Sequence, residues 1–287
     1  MENQIDYGQQ VLDFAEKLKL PHMVRIKLEE CCRELPWEAL KKKIIQLTDV
    51  RYAEEMQRQL SIELASYNQD DGIADLSVML AAALHTKELY EAWQLSEQIY
   101  WDTMGCFRRF IDETHRNTGE WKFDRAFWTW RQTACCLFRI GTLEFEYTVN
   151  DRSKEQMVIS VHIPSDSKLT LENLEYSYGA QHRFFIQNEQ NVCYNGIPKE
   201  VVCHTWLLSP ILLQFLKQDS GIRRFAKDYD ILETDDDNSG CLEWLFEGKT
   251  DLWALPENTT LQKEVKKFLL QGGNIGHAWG KLKKRCL

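Results

Sequence analysis

The stretch Ile140–Leu169, IGTLEFEYTVNDRSKEQMVISVHIPSDSKL, contains two runs in which apolar and polar residues alternate. Such alternation is typical of strands with one buried face. The first run covers 143–149 and carries glutamates on its polar face, and the second covers 157–163. The segment between them, NDRSKE at 150–155, is polar and favours a turn. We therefore predict an antiparallel strand pair and a β-sheet in this half of the chain.

The second run continues into a short turn, Pro164–Lys168, and then into a helix predicted from about Thr170. A strand that leads through a short turn to a helix N-terminus is a common ligand-binding geometry, because the first N–H groups of the helix have no partner within it. The sequence therefore makes this turn the first candidate for a binding site.

Before residue 120, apolar residues recur at the 3.6-residue spacing of helices with one buried face. The stripes that begin at Val11 and Val24 are examples, and short helices joined by short turns are typical of a bundle. Arg116–Gly119 interrupts the helical pattern, so we place a domain boundary there. We expect an all-α helical domain over 1–120 and a sheet domain over 121–287.

After residue 120, helix and strand patterns alternate, which predicts an α+β fold with a mixed sheet flanked by helices. Besides the strand pair, we predict helices at 123–138, 171–186, 209–216 and between 259 and 272, and strands at 201–208, 222–229 and 275–282. Asp235–Asn238 is expected to be a solvated acidic loop, since it lacks the ligand spacing of an EF-hand.

The composition restricts both function and compartment. The 287 residues carry a net charge of -9, which argues against a nucleic-acid partner, because such binding needs a basic surface. We find no signal-peptide pattern and no apolar run of transmembrane length, so we expect a cytoplasmic protein without a membrane partner. The nine cysteines form no C-x-x-C pair, so we expect reduced thiols and no metal site.

Several segments resemble a bacterial group of acyltransferases with a helical N-acyltransferase N-terminal domain and a GNAT-like C-terminal domain. They are CLFRIGTLEFEY (136–147), ISVHIPSD (159–166), VVCHTWLLSP (201–210), LPENTTLQKEVKKFLLQGG (255–273) and IGHAWGKL (275–282). The resemblance covers nearly the whole chain and is strongest from about Trp121. It implies a GNAT-like mixed sheet, an acyl-CoA-type thioester as donor, and a small-molecule amine as acceptor.

GNAT enzymes hold the coenzyme A pyrophosphate on a glycine-rich turn, Q/R-x-x-G-x-G/A, at a helix N-terminus. By order along the chain, the matching turn is Pro164–Lys168, which has no glycine and carries the carboxylate of Asp166. The resemblance implies Ser165, Asp166, Ser167 and Lys168 as cofactor-binding residues, with Lys168 screening the carboxylate from the diphosphate. Alternatively, Asp166 or Ser167 only caps the helix.

Two further candidates come from the strand at 201–208 and its end. Trp206 either lines a cofactor pocket or packs in the core. Ser209 either contributes to the cofactor site or caps a helix that has Pro210 at its first position.

His162 and His204 lie on strands that would be neighbours at the centre of a GNAT-like sheet. In this fold those strands splay, and the acyl donor enters the gap. A histidine can act as general base toward an amine, because it titrates near neutral pH. Each could instead be a hydrogen-bonded core histidine. We take His204 as the preferred base, His162 as a second catalytic candidate, and Ser165 as a hydrogen-bond donor to the ligand.

Two functions therefore remain open. The first is an N-acyltransferase that moves an acyl group from a thioester to an amine by direct attack. The second is a non-catalytic GNAT-like module that binds a small molecule or a protein partner. The strand histidines favour the first and the missing glycine turn favours the second, while no motif predicts an oligomeric state.

Overall fold

The residues with helical spacing in the first part of the chain form a set of packed helices. The computed structural model describes residues 7–150 and 152–286. The helices are α1 (Tyr7–Lys17), α2 (His22–Glu34), α3 (Trp37–Gln46), α4 (Ala53–Glu63), α5 (Ile73–Ala92), α6 (Glu97–Met104), α7 (Cys106–Thr118) and α8 (Ala126–Thr133). Twelve of the 20 residues of α5 are buried, because α1, α2, α3, α6 and α8 all pack against it. Among the described helices, none combines the length and apolar character needed to cross a bilayer.

The chain divides into two compact units, Met1–Arg139 and Ile140–Leu287. The division lies after α8 rather than near residue 120, because α8 packs on α4 and α5 and so belongs with the helices. Of the helix predicted at 123–138, only Ala126–Thr133 is helical. Cys135 adopts a left-handed φ of 53°, which ends the helical segment, and the first strand follows directly.

The second half of the chain forms the predicted mixed sheet. Its strands are β1 (Leu137–Ile140), β2 (Leu143–Val149), β3 (Met157–His162), β4 (Val201–Thr205), β5 (Tyr229–Thr234) and β6 (Ala278–Leu282), in the order β1-β2-β3-β4-β6-β5. The β2–β3 pair is antiparallel, which confirms the prediction from the opening stretch. Strands β3 and β4 are parallel, whereas β6 pairs antiparallel with both β4 and β5.

The sheet is accompanied by α9 (Leu171–Gln187), α10 (Glu189–Val192), α11 (Gly221–Ala226), α12 (Ser239–Leu245) and α13 (Thr260–Leu270). Helix α9 connects β3 to β4 and packs against β2. Such a crossover is what a parallel strand pair requires. The apolar residues Phe145, Tyr147 and Val161 are buried on the sheet.

Two predicted elements between β4 and β5 are wrong. The helix at 209–216 is replaced by a short 3-10 turn at Leu212–Phe215, and the last three residues of the strand predicted at 201–208 form another, Trp206–Leu208. The strand at 222–229 is instead α11, because the Ser220 hydroxyl accepts a hydrogen bond from the backbone N–H of Arg223 and caps a helix there. The strand begins only at Tyr229.

Candidate active site

Strand register gathers polar side chains from adjacent strands on one face of the sheet. Ser160 pairs with Glu146 on β2 and with Val202 on β4. Because alternate residues of a strand share a face, His162 and His204 lie on the same face as Ser160. The sequence-predicted catalytic pair is therefore brought to one surface, together with a glutamate that the prediction did not include.

His162 forms the tighter of the two histidine arrangements. Its Nε2 lies 2.8 Å from Oε2 of Glu146, whose side chain is only 9% exposed, whereas the His162 side chain is 26% exposed. A carboxylate held inside the protein orients an imidazole and stabilises its protonated form, which is the arrangement that a general base needs. His162 is therefore neither sealed in the core nor fully in solvent.

His204 lies near the end of β4 in a more open position, with its side chain 37% exposed. Its ring stacks on Trp279 of β6, with ring centroids 4.4 Å apart and planes at 7°. Its Nε2 is 3.5 Å from Oδ2 of Asp235, which follows β5 directly. The Nδ1 of His277 is 3.4 Å from the other oxygen of the same carboxylate.

Backbone groups hold the Asp235 carboxylate in place. Partial burial acts to raise the pKa of Asp235, but hydrogen bonds from the backbone N–H groups of His277 and Asp237, each 2.9 Å long, outweigh it. Together with the nearby His277 ring, they lower this pKa to about 2. The carboxylate is therefore ionised at every physiological pH.

The carboxyl ends of β3 and β4 extend beyond their paired region. Ladder pairs join Ile159 to Val201 and Ser160 to Val202, and the strands then continue to His162 and to Thr205. The resemblance implied a gap between two such strands for the acyl donor. The ends of β3 and β4 are where this gap would lie, with one candidate histidine on each side.

The turn after β3 is tied to the start of β2. Ser167 Oγ donates to the carbonyl of Thr142 at 2.6 Å, and the backbone N–H of Lys168 donates to Thr142 Oγ1 at 2.9 Å. Thr170 caps α9, because its hydroxyl accepts from the backbone N–H of Asn173. The alternative in which Asp166 or Ser167 caps the helix is therefore wrong.

Three residues of this turn face solvent. Ser165, Asp166 and Lys168 are exposed, and they precede the N-terminus of α9. First-turn N–H groups and a lysine ammonium both favour a bound anion. The expected cofactor residues thus lie together in one turn, although the carboxylate of Asp166 opposes the anion.

Trp206 and Ser209, the other two predicted cofactor residues, are buried in the protein. Trp206 is 9% exposed and belongs to a core cluster with Leu212 and Phe246. Ser209 is 1% exposed, and its hydroxyl donates to the carbonyl of Ile275 and accepts from the backbone N–H of Leu212 at 3.3 Å. Both side chains hold the 3-10 segments in position, so a ligand would have to displace the core to reach them.

Sequence reasoning missed the partners of both histidines. Glu146 was recognised only as a residue of the polar face, although antiparallel pairing places it opposite Ser160, two residues before His162 on the same face. Asp235 was assigned to a solvated loop and His277 to a plain strand. The signal for these two was absent from local sequence, because it depends on β6 lying between β4 and β5.

Comparisons with known proteins agree with this architecture. Residues 9–135 match the N-acyltransferase N-terminal domain family, and residues 137–282 match the GNAT-like C-terminal domain family. No curated protein matches the chain significantly.

Solved structures of the same fold are acyltransferases. One, in complex with decanoyl-CoA, is 19% identical, with a TM-score of 0.74 over 94% of this chain and 86% of that chain. Another, in complex with CoA and 10C-Teicoplanin, is 17% identical, with a TM-score of 0.77 over 98% of this chain and 89% of that chain. The predicted α+β fold and family are thus confirmed: the chain belongs to the GNAT-like C-terminal domain family and carries the N-acyltransferase N-terminal domain in front of it.

Proposed function

We propose that the protein transfers an acyl group from acyl-CoA to an amine, with His162 as general base. The observation that carries this proposal is the 2.8 Å contact between His162 Nε2 and the shielded Glu146 carboxylate. It replaces the initial preference for His204, whose carboxylate partner is 3.5 Å away and 43% exposed. Water screens an exposed pair more strongly, so that pair orients its imidazole less firmly.

In this mechanism the amine nitrogen attacks the thioester carbonyl carbon directly. The C–S bond breaks, the coenzyme A sulfur leaves and takes up a proton, and an amide bond forms. Because Nε2 of His162 contacts the Glu146 carboxylate and therefore carries the N–H, the other ring nitrogen, Nδ1, removes a proton from the attacking nitrogen. Glu146 then stabilises the charge that the imidazole carries. The base must present Nδ1 to the amine while Nε2 keeps its contact with Glu146.

The donor would enter between β3 and β4, and its diphosphate would lie against Ser165–Lys168 and the N-terminus of α9. The anion-stabilising groups of this turn support that placement. Solved structures of the same fold contain decanoyl-CoA and octanoyl-CoA, which makes these thioesters the first donors to test. Another contains decanoyl-CoA and teicoplanin, so a small-molecule amine is our proposed acceptor.

We also propose a cytoplasmic location, because all nine cysteines are thiols and reducing conditions preserve them. The second candidate function, a non-catalytic binding module, is supported by the turn without glycine. It predicts coenzyme A or ligand binding without any amine-dependent release of thiol.

The test is release of coenzyme A thiol from decanoyl-CoA in the presence of a panel of primary amines. His162→Ala should lower kcat by about 100-fold or more, the usual effect of losing a general base, while the dissociation constant for coenzyme A stays constant. His182→Ala, at an exposed position of α9, is the matched control and should retain full activity.

His204→Ala separates the two histidine assignments. If it abolishes turnover and His162→Ala does not, His204 is the base and our assignment is wrong. If coenzyme A binds by calorimetry but no amine in the panel supports thiol release, the binding-module function is favoured instead.

A further inference from the structure

A cluster of two histidines and one aspartate lies where β4, β6 and the end of β5 come together. Nε2 of His204, a carboxylate oxygen of Asp235 and a ring nitrogen of His277 all lie within 4.8 Å of one another. The separate contacts are 3.5 Å from His204 Nε2 to Asp235 Oδ2, and 3.4 Å from His277 Nδ1 to Asp235 Oδ1. In tetrahedral zinc sites with bonds of about 2.1 Å, neighbouring ligand atoms are about 3.4 Å apart.

Each potential ligand is held by contacts that need no ion. Asp235 receives two backbone hydrogen bonds, and its own N–H donates to the His277 carbonyl at 3.1 Å. The His277 ring packs closely against Gly240. A Cβ atom added to Gly240 would lie only 2.5 Å from Nε2 of His277. This leaves Nδ1 directed toward the carboxylate. His204 is fixed by its stacking on Trp279.

We propose that His204, Asp235 and His277 form a binding site for a divalent ion of the zinc class. Two imidazole nitrogens and one carboxylate oxygen suit borderline metals such as Zn²⁺ better than Mg²⁺ or Ca²⁺, which prefer oxygen-only sites. His204 and Asp235 are 37% and 43% exposed, so an ion reaches them from solvent. Asp237 Oδ2, 3.8 Å from His277 Nδ1, offers a fourth ligand after a small side-chain rotation.

This site departs from the sequence-based expectation of no metal, which rested on cysteine spacing and on the lack of EF-hand spacing in the loop at Asp235–Asn238. It is also separate from the proposed general base, because neither His162 nor Glu146 is among its ligands. A bound ion would link β4, β6 and the segment after β5, and would therefore stabilise the folded sheet in proportion to its free concentration.

The test uses the full-length protein, stripped with EDTA and then titrated with ZnCl₂ in a calorimeter. We expect one zinc ion per chain, and a rise in melting temperature on addition of ZnCl₂. His277→Ala and Asp235→Asn should each weaken zinc binding by about tenfold or more and abolish the thermal shift. His182→Ala, an exposed histidine of the same unit, should bind as the parent does.

Cobalt gives a second readout that identifies the ligands. CoCl₂ bound to the stripped protein should produce visible absorption of a four- or five-coordinate nitrogen and oxygen site without a thiolate charge-transfer band. If His277→Ala fails to fold in EDTA, the exposed ligand is replaced instead, as His204→Ala. Stoichiometric binding that survives both His204→Ala and Asp235→Asn, a thiolate band, or no binding at all would overturn the proposal.

Discussion

His162 and Glu146 meet diagonally across the β2–β3 ladder. Their contact is 2.8 Å, although the direct partner of His162 is Glu144 and that of Glu146 is Ser160. Diagonal side chains on one face of an antiparallel pair come within reach when they are long. A shift of one residue in this register would move one of the two side chains to the opposite face, so the register itself assembles the pair.

Glu146→Gln tests the role of this carboxylate. The amide keeps the size of the side chain but cannot stabilise a positively charged imidazole, so kcat should fall by about tenfold to a hundredfold, less than on loss of the base. KM for acyl-CoA should stay unchanged, because Glu146 is not expected to contact the donor. Steady-state kinetics with a fixed amine measures both quantities.

Ser160→Ala is the control, because Ser160 lies across the ladder from Glu146 on the same face. It should leave kcat within about twofold of the parent, as surface-facing changes without a charged partner usually do. Equal losses in both variants would indicate a general effect on the sheet and would remove the specific role of Glu146.

Gly276 is required where the chain approaches Asp235. Its φ is +70°, and a Cβ atom added there would lie 2.0 Å from the Asp235 carbonyl oxygen. Gly276→Ala should therefore lower the free energy of unfolding by at least about 3 kcal/mol, since it combines a left-handed backbone with a steric overlap. Gly272 has a φ of +83°, but no atom lies near the position of an added Cβ. Gly272→Ala should therefore lower the free energy of unfolding by only about 1 kcal/mol. Urea denaturation compares the two variants, and equal costs would contradict the steric argument.

The N-terminus of α13 is held by a reciprocal cap. Thr259 Oγ1 accepts from the backbone N–H of Gln262, and Gln262 Oε1 accepts from the backbone N–H of Thr259, both at 3.1 Å. Thr259→Ala should destabilise the protein by about 1 kcal/mol, and Thr259→Ser by much less. Gln262→Ala should destabilise the protein more than Thr259→Ala does, because it also removes the side-chain amide that donates to the Leu245 carbonyl. Urea denaturation tests this order, and the reverse order would show that the hydrogen bond from Gln262 to the Leu245 carbonyl adds nothing to stability.

The sequence predicted those parts of the molecule whose signals are local. Alternation in β2 and β3 predicted their pairing, and thereby placed Glu146 and His162 on one face. The strand expected at 222–229 was wrong because a single hydroxyl, that of Ser220, decides in favour of a helix. The contact of Asp235 with His204 and His277 could not be predicted, because it depends on the order of strands that are distant in the chain.

The buried cysteines give a prediction about chemical reactivity. Burial raises the pKa of Cys193 to about 11 and that of Cys241 to about 12, and it also raises the pKa of Cys203 strongly. At pH 8 a thiol with a pKa near 11 is ionised in only about one molecule per thousand, and the thiolate is the reactive species. Burial also keeps an aromatic disulfide reagent from reaching these thiols, so they should not react with it in the native protein.

Cys31 and Cys286 are the two cysteines that are only partly buried. In the native protein, at most these two of the nine thiols should react with the reagent and release its coloured product. Burial raises the pKa of Cys31 as well, so Cys31 should react slowly at neutral pH, and Cys31→Ser should remove this slow phase. Because the rate follows the thiolate fraction, the Cys31 phase should accelerate about tenfold per pH unit between pH 7 and 8. Full reaction of all nine thiols should require guanidinium chloride. Rapid reaction of three or more thiols under native conditions would mean that the core around Cys193 or Cys241 opens far more often than their burial implies.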